Sequence, residues 1–365
     1  MNISSLSGLF GKQDGSVVGV DIGSSSIKVV QLRRERGRAI LETYGAIALG
    51  PYAGVEIGRA TQLPAEKLFE ALRDVVREAN VTTKDAGVSM PYSSSLVSVI
   101  KLPAAAEGKL DEAVPLEARK YIPVPISEVK LDWSVVSGGR NASAPDDKIE
   151  VLFVAIHNET LEKFRRIASG AGLTAAFFEI EVFSSVRASL DRGIAPVAVI
   201  DMGAATTKFY VVERGIVRES HIINRGAQEL TLNLARSLNI PVAAAEERKR
   251  KAGLMPPTAI DPNAAEARRS FELTLSPLLA DISHTLASFE ARINEPVSAL
   301  VLTGGGATLK QVKDFAQSKL QVEVRVADPF GKAEAPAFLQ GILKEIGPEF
   351  SVAVGLALRR LQEIH

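Results

Sequence analysis

Two stretches of the sequence each place an aspartate, a glycine, small residues and a lysine between two apolar runs. The first, GVDIGSSSIKVV, covers residues 19–30, and the second, VIDMGAATTKFYVV, covers residues 199–212. Each pattern is typical of an apolar strand, a small polar turn and a second strand. Asp21 and Asp201 are 180 residues apart, and a unit repeated at that distance predicts two related halves that face each other.

The position of these turns decides which kind of phosphate site they could form. A Walker loop or a dinucleotide fingerprint leads from a strand into a helix, whose N-terminus binds the phosphate. Here each turn joins one strand to another, so we expect backbone N–H groups of two opposed hairpins to grip the anion. The residues predicted to contact it are Gly23, Ser24, Ser25, Ser26 and Lys28 in the first turn, and Gly203, Ala204, Thr206, Thr207 and Lys208 in the second.

The two aspartates would repel a polyphosphate unless a cation lies between them. Magnesium binds few carboxylates and completes its coordination with water and substrate phosphates. Asp21 and Asp201 are therefore predicted as metal ligands for Mg²⁺ bound together with the polyphosphate. The alternative is that each aspartate only ends its strand, as aspartate often does at turns, and that each lysine only faces solvent.

Two further segments are candidates for the nucleoside end of such a site. LVLTGGGATL, residues 300–309, leads from a strand into bare backbone against which a purine or ribose could lie flat. In AAEERKRKAG, residues 244–253, Glu246 and Lys249 lie on one face of a helix and could reach ribose and base, although neighbouring charges offer competing registers. In the glycine segment, contact is predicted for Gly304, Gly305, Gly306 and Thr308.

The composition excludes several other classes of protein. Among 365 residues, 43 are Lys or Arg and 43 are Asp or Glu, so no overall charge favours nucleic acid. The absence of cysteine excludes a disulfide scaffold, a zinc ribbon and thiol catalysis. No apolar run reaches the roughly 18–20 residues of a membrane-spanning helix. The histidines, which lack metal-ligand spacing, are His157, His221, His284 and His365.

The motifs lie between elements that divide the chain into predicted domains. Residues 1–15 lack a secretory signal and are predicted to be a flexible segment. Residues 16–95 are predicted to form the first core subdomain, with three strands in sequence, an amphipathic helix and a further strand. Residues 96–174 show a β-α-β-β-α pattern, which predicts a small inserted domain with a helix over residues 107–122 interrupted by Pro115 and with Tyr121 and Trp133 in its core.

The remaining residues complete both halves of an α/β protein. A helix predicted over residues 179–190 returns the chain to the first half, to which residues 175–196 and the final helix in 350–365 are assigned. Residues 197–228 and 296–349 are predicted to form the second core subdomain. Residues 229–295 form its helical subdomain, in which helices are predicted from 227 to 252 and from 265 to 293.

In their order and separation, these motifs resemble those of the actin, sugar kinase and heat-shock chaperone ATPase superfamily. GVDIGSSSIKVV is similar to its first phosphate loop, VIDMGAATTKFYVV to its second, LVLTGGGATL to its adenosine motif and FSVAVGLAL to its last connecting helix. The resemblance implies an actin-like ATPase fold with two related halves around a nucleotide cleft. The inserted α+β domain lies where the cell-division protein FtsA carries its insertion.

Within this superfamily, the chain resembles the PilM family of type IV pilus assembly proteins. Shared features are the GVDIGSSS opening, the terminal AVGLAL and a stretch made of Glu117, Ala118, Tyr121, Ile122 and Pro123. The resemblance implies a cytoplasmic ATP-binding adaptor, peripheral to the inner membrane through its partner. Its groove between the first core subdomain and the inserted domain would dock the N-terminal peptide of PilN and link it to the motor side. Pilus motor ATPases and self-association are further expected contacts, and nucleic acid is not.

One departure from the superfamily concerns hydrolysis. Its ATPases place a polar side chain on the helix before the second phosphate loop to orient the attacking water. Counting back from Asp201 predicts this position near Ser184, with Glu179 and Glu181 up to a turn and a half earlier. We therefore expect ATP binding with at most slow hydrolysis. The alternatives are an FtsA-like or actin-like filament, or a sugar or acid kinase, which would need a general base and an acceptor pocket.

Overall fold

The computed structural model describes residues 15–137, 148–191, 193, 195–256 and 264–364. The predictions for residues 1–14 and for His365 lie outside these ranges. Among the described helices, none is both long enough and apolar enough to cross a membrane.

The first half is built on a five-stranded sheet in the order β3-β2-β1-β4-β8. The first three strands form the predicted antiparallel meander, and β4 and β8 pair with it in parallel. Helix α1 (Ala65–Glu78) lies on this sheet through its buried Leu68, Leu72 and Val75. The strands are β1 (Ser16–Ile22), β2 (Ser26–Glu35), β3 (Arg38–Ala48), β4 (Asp85–Met90) and β8 (Thr174–Ile180).

The inserted domain contains a three-stranded antiparallel sheet in the order β5-β7-β6, covered by helix α2 (Leu110–Ala118). The strands are β5 (Ser95–Pro103), β6 (Val129–Ser137) and β7 (Lys148–His157). Helix α3 (Asn158–Gly170) follows and buries Phe164 and Ile167 in the core that it shares with α1.

Two predictions for the inserted domain were wrong. Helix α2 runs through Pro115, the sixth of its nine residues, and ends at Ala118. The missing N–H of Pro115 removes one backbone hydrogen bond without ending the helix. Tyr121 is 47% exposed, and Ile122 takes the buried position instead. Trp133 is partly buried against the core of the inserted domain, as predicted.

Strand β8 was not predicted from the sequence, and it changes the start of the next helix. Glu179 and Ile180 end β8, so helix α4 (Glu181–Ser189) begins two residues later than predicted. Gly172, whose φ is +80°, makes the turn between α3 and β8.

The second half repeats the architecture of the first. Its sheet has the order β11-β10-β9-β12-β13, again with an antiparallel meander followed by two parallel strands. The predicted relation between the two halves is confirmed at the level of sheet topology. The strands are β9 (Val197–Met202), β10 (Thr207–Glu213), β11 (Ile216–Ile223), β12 (Ala299–Thr303) and β13 (Val324–Val326).

The helix predicted from residue 227 to 252 is divided into two. Asn239, with a φ of 49°, ends the first part in the left-handed region, and Pro241 precedes the second. The remaining helices are α5 (Ala227–Leu238), α6 (Val242–Ala252), α7 (Ala264–Ile293), α8 (Val312–Leu320), α9 (Gln340–Ile346) and α10 (Ser351–Glu363).

Helices α4 and α10 cross between the two sheets with their backbones in contact. Helix α4 buries Val182 against the second sheet, and α10 buries Ala353 and Val354 against the first. A Cβ atom on Gly355 would collide with the carbonyl oxygen of Ser184. The crossing therefore requires glycine at position 355.

A pair of glycine substitutions tests this crossing. Gly355→Ala is expected to lower the free energy of unfolding by about 2 kcal/mol or more, because the added methyl has no space. Gly341→Ala, on the exposed helix α9 with no atom near the new methyl, is the matched control and should raise it by roughly 0.5–1 kcal/mol. Urea denaturation measures both, and equal effects of the two changes would contradict the crossing.

Candidate nucleotide-binding site

A cavity of about 1220 Å³ lies between the two halves and is open to solvent. Nearly all the residues predicted from the two turns and the glycine segment line it. They are Asp21, Gly23, Ser24, Ser25, Ser26, Lys28, Asp201, Gly203, Ala204, Thr206, Lys208, Glu246, Lys249, Gly304, Gly305, Gly306 and Thr308.

Thr207 is the exception. As the first residue of β10 it is fully buried, and its hydroxyl donates a hydrogen bond of 2.8 Å to the carbonyl oxygen of Arg225. Side chains alternate faces along a strand, so the neighbours Thr206 and Thr207 cannot both face the cavity. The prediction that Thr207 contacts a phosphate was wrong.

The two hairpin turns have the same geometry. The N–H of Gly23 donates to the carbonyl oxygen of Ser26 over 3.0 Å, and the N–H of Gly203 donates to that of Thr206 over 3.0 Å. Across the strand pair, Asp21 is opposite Lys28 as Asp201 is opposite Lys208. Two equivalent turns of bare, polar backbone therefore face one cavity, which is the arrangement that an anion site needs.

Asp21 is a buried carboxyl group with little compensating charge. It is 8% exposed and accepts a hydrogen bond of 3.1 Å from the Ser89 hydroxyl. Burial raises the pKa of Asp21 to about 6, and the attraction of Lys28 only partly opposes this shift. A carboxylate held in such surroundings gains from a cation placed beside it.

Asp201 has a different environment, because Lys208 already lies beside it. The Lys208 ammonium is 3.3 Å from an Asp201 oxygen and 2.7 Å from an oxygen of Glu181. Burial alone would lower the pKa of Lys208, but these two carboxylates outweigh burial and raise it. Lys28, in contrast, donates only to the Ser26 hydroxyl among the described contacts, over 2.9 Å.

The glycine segment forms a close-packed floor next to Asp201. Gly304 has a φ of +80°, and a Cβ atom there would collide with the Asp201 carboxylate. A Cβ atom on Gly306 would collide with Met202, whereas one on Gly305 would meet no protein atom within 4 Å. Gly305 thus faces open cavity, and the floor leaves room for a flat ligand group.

Glu246 and Lys249 reach the cavity from helix α6 as an ion pair of 2.6 Å. Glu246 also accepts hydrogen bonds from Thr231 over 2.6 Å and from Arg250 over 2.8 Å. Burial would raise the pKa of Glu246, but Lys249 and these donors outweigh it and lower the pKa. Burial lowers the pKa of the Lys249 ammonium, and Glu246 opposes this shift. Glu246 is therefore ionised, and the ion pair holds both side chains in place at the cavity wall.

Ser184, the position predicted for a water-orienting residue, does not line the cavity. Ser184 is fully buried and hydrogen-bonded to Glu179, which is itself paired with Arg187 and Arg359. Glu181 lines the cavity instead, together with Ser185 four residues later. A helix that begins at residue 181 puts these two on one face, but its start was not evident from the sequence.

The loop before α1 also lines the cavity, although no sequence motif indicated it. The N–H of Thr61 donates to the carbonyl oxygen of Ser24 over 2.8 Å, and the N–H of Ala60 donates to the Gln228 side chain over 3.1 Å. This loop therefore connects the first turn to helix α5 of the second half.

The donor set of this cavity fits a magnesium–polyphosphate. Within the described residues, no group of three or more His, Cys, Asp or Glu side chains could hold a metal ion. A cation held by Asp21 and Asp201 would need further oxygen ligands, which phosphates and water supply to Mg²⁺. The two turns would supply backbone donors for phosphates, and the glycine floor has room for a nucleoside.

A family model described as type IV pilus assembly protein PilM matches residues 19–361. Curated relatives include the cell division protein FtsA of Neisseria meningitidis, which is 24% identical over 92% of this chain and 88% of its own length. FtsA of Bacillus subtilis is 23% identical over 89% of this chain and 81% of its length.

Solved structures show the same fold. A PilM-PilN type IV pilus biogenesis complex has a TM-score of 0.78 at 23% identity and covers 95% of this chain and 99% of that chain. MreB5 of Spiroplasma citri bound to ADP has a TM-score of 0.55 at 12% identity, and the match covers 97% of this chain and 99% of that chain. The prediction of an actin-like ATPase fold with an FtsA-type insertion is confirmed.

The burial of Asp21 predicts a stability that depends on pH. Its folded-state pKa of about 6 lies above the ordinary value of 3.8. Ionised Asp21 therefore costs stability at higher pH, and this cost decreases as the pH falls from about 6 towards 3.8. At pH 7.5 without nucleotide, Asp21→Asn should therefore raise the free energy of unfolding by on the order of 2 kcal/mol. At pH 5 the difference should shrink.

Urea denaturation at both pH values measures this effect. Asp281→Asn, on an exposed aspartate of α7, is the control and should change neither value. If the Asp21→Asn variant is less stable than the wild type at pH 7.5, nearby positive charge and hydrogen bonds offset the cost of burying the Asp21 carboxylate, and the prediction is wrong.

Proposed function

This chain belongs to the PilM family of type IV pilus assembly proteins, and we propose that it binds magnesium–ATP or magnesium–ADP and docks the N-terminal peptide of PilN. The main observation in support of nucleotide binding is the pair of equivalent hairpin turns that face one cavity. The solved PilM-PilN complex supports the partner.

In this proposal the phosphates lie between the two turns. Backbone N–H groups near Ser24, Ser25 and Ala204, with the hydroxyls of Ser24 and Thr206, donate to the phosphate oxygens. Lys28, whose ammonium donates to the Ser26 hydroxyl over 2.9 Å, adds positive charge. Asp21 and Asp201 would hold the Mg²⁺, which would neutralise phosphate charge.

The nucleoside lies on the glycine floor. Gly304, Gly305 and Gly306 allow close approach of the base or ribose, and the paired Glu246 and Lys249 offer polar contacts at the wall. MreB5 structures with ADP and with AMPPNP have the same fold, which supports a nucleotide as the ligand.

Hydrolysis is expected to be slow at most. Glu181 is the carboxylate that faces the cavity from the helix before the second turn. Its two oxygens are already engaged, one by the Lys208 ammonium over 2.7 Å and one by the N–H of Tyr92 over 2.7 Å. While both contacts hold, neither oxygen is free to accept a proton from an attacking water, so hydrolysis would first require both contacts to break.

The PilN peptide is proposed to bind where the cavity extends away from the glycine floor. There it is bordered by the start of α1, by α3 and by the 3₁₀ helix Tyr92–Ser94, which leads into the inserted domain. The lining combines apolar and polar groups, from Leu63, Leu68, Ser93, Ser94, Thr160, Lys163 and Phe164. Through PilN the protein would be cytoplasmic and peripheral to the inner membrane. Motor ATPases and further copies of this chain are proposed as additional contacts.

Gly305→Val tests the nucleotide site. The new side chain enters open cavity, so it should leave the folded protein stable while weakening magnesium–ATP binding by roughly tenfold or more. Gly108→Val, in a 3₁₀ helix of the inserted domain where a Cβ atom also meets nothing, is the matched control. Titration with a fluorescent ATP analogue measures binding. Equal affinity of both variants would place the nucleotide elsewhere.

Thr160→Trp tests the peptide groove. A bulky side chain on this face of α3 should lower the affinity for a labelled N-terminal PilN peptide by roughly tenfold or more. Fluorescence anisotropy measures this affinity. Glu162→Trp, on an exposed position of the same helix, should leave the affinity unchanged. If the control weakens binding and Thr160→Trp does not, the peptide binds on another face.

A further inference from the structure

Glu181 connects the phosphate end of the cavity to the start of the inserted domain. Its Oε2 atom pairs with the Lys208 ammonium over 2.7 Å, and its Oε1 atom accepts the backbone N–H of Tyr92 over 2.7 Å. The side chains of Glu181 and Lys208 are 15% and 13% exposed. One carboxylate thus holds two groups that belong to different parts of the protein.

Tyr92 lies at the root of the inserted domain. It is the first residue of the 3₁₀ helix Tyr92–Ser94, through which the chain passes from β4 of the first sheet into β5 of the inserted sheet. The Tyr92 hydroxyl is hydrogen-bonded to the Ser220 hydroxyl on β11 of the second half. A movement at Tyr92 therefore changes the position of the inserted domain relative to both halves.

A second contact joins the inserted domain to the second half. Arg218 on β11 pairs with Glu150 of the inserted strand β7 over 2.7 Å, and with Glu213 over 3.0 Å. Between β11 and the inserted sheet lies a small cavity of about 250 Å³. The inserted domain consequently rests on an incompletely packed surface of the half that carries Asp201 and Lys208, where a small shift needs little repacking.

At the other end of this connection, Lys208 has two alternative anionic partners. It is 2.7 Å from Glu181 and 3.3 Å from Asp201. With magnesium–triphosphate bound, Asp201 would pair with the cation, and Lys208 would lie next to phosphate oxygens. Because one ammonium cannot stay equally close to all these anions, its attraction to Glu181 weakens when the phosphate site is filled.

We propose that Glu181 relays the occupancy of the phosphate site to the root of the inserted domain. When Lys208 moves toward the phosphates, Glu181 loses its cation, turns toward the hydrated cavity and releases the N–H of Tyr92. This relay rests on the proposed nucleotide function and adds a regulatory step to it. The groove proposed for the peptide borders the same 3₁₀ helix, so nucleotide and peptide would affect each other's binding reciprocally.

Hydrogen–deuterium exchange at the Tyr92 amide tests the relay, at magnesium–ATP concentrations that saturate each variant. In the wild type, magnesium–ATP should make this amide exchange roughly tenfold faster, as expected for loss of a hydrogen bond to a charged acceptor. Glu181→Gln keeps an oxygen that can accept the Tyr92 N–H but removes the charge that pairs with Lys208. In this variant the response to magnesium–ATP should disappear.

Glu349→Gln is the matched control, because it neutralises another carboxylate that lines the same cavity. The response at Tyr92 should persist in this variant. A wild type that binds magnesium–ATP without a change at Tyr92, or a Glu181→Gln variant that still responds, overturns the relay alone. Absence of magnesium–ATP binding in the wild type overturns the proposed function and the relay together.

Discussion

The backbone contact between helices α4 and α10 is the constraint on which the rest of the structure depends. Each helix covers one of the two sheets, so their crossing sets how the sheets face each other. Because Gly355 brings the helix backbones together without an intervening side chain, the crossing leaves little freedom of adjustment. The ion pairs of Glu179 with Arg187 and Arg359 hold the end of β8 to both helices. The two hairpin turns then necessarily meet across one cavity.

The two turns are equal in backbone geometry but different in charge. Asp21 is buried with a raised pKa and little compensation, whereas Asp201 lies beside Lys208, which is also paired with Glu181. The repeated unit thus serves two purposes in our account. The first turn supplies an uncompensated carboxylate for a cation. The second turn places its lysine where a bound phosphate can compete with Glu181, and so connects binding to the inserted domain.

The sequence predicted what depends on short, local patterns. The paired Asp-x-Gly turns, the glycine floor and helix α1 follow from residue types at fixed spacing, and their positions agree with the structure. The wrong predictions concern features that depend on the exact register of a strand or helix, or on pairing between strands that are distant in sequence. Thr207 faces away from the cavity because strand side chains alternate. Strand β8 forms because β4 offers an open parallel edge, which the sequence does not reveal. Because the start of α4 was not recognised, the position of Glu181 at the cavity was not predicted either.

A crystal structure with Mg²⁺ and a non-hydrolysable ATP analogue tests most directly whether both halves hold one magnesium–polyphosphate. It should show the phosphates between the turn at Gly23 and the turn at Gly203, with a single metal ion between Asp21 and Asp201. Density for the analogue outside this cavity, or contact with only one of the two turns, would contradict the account.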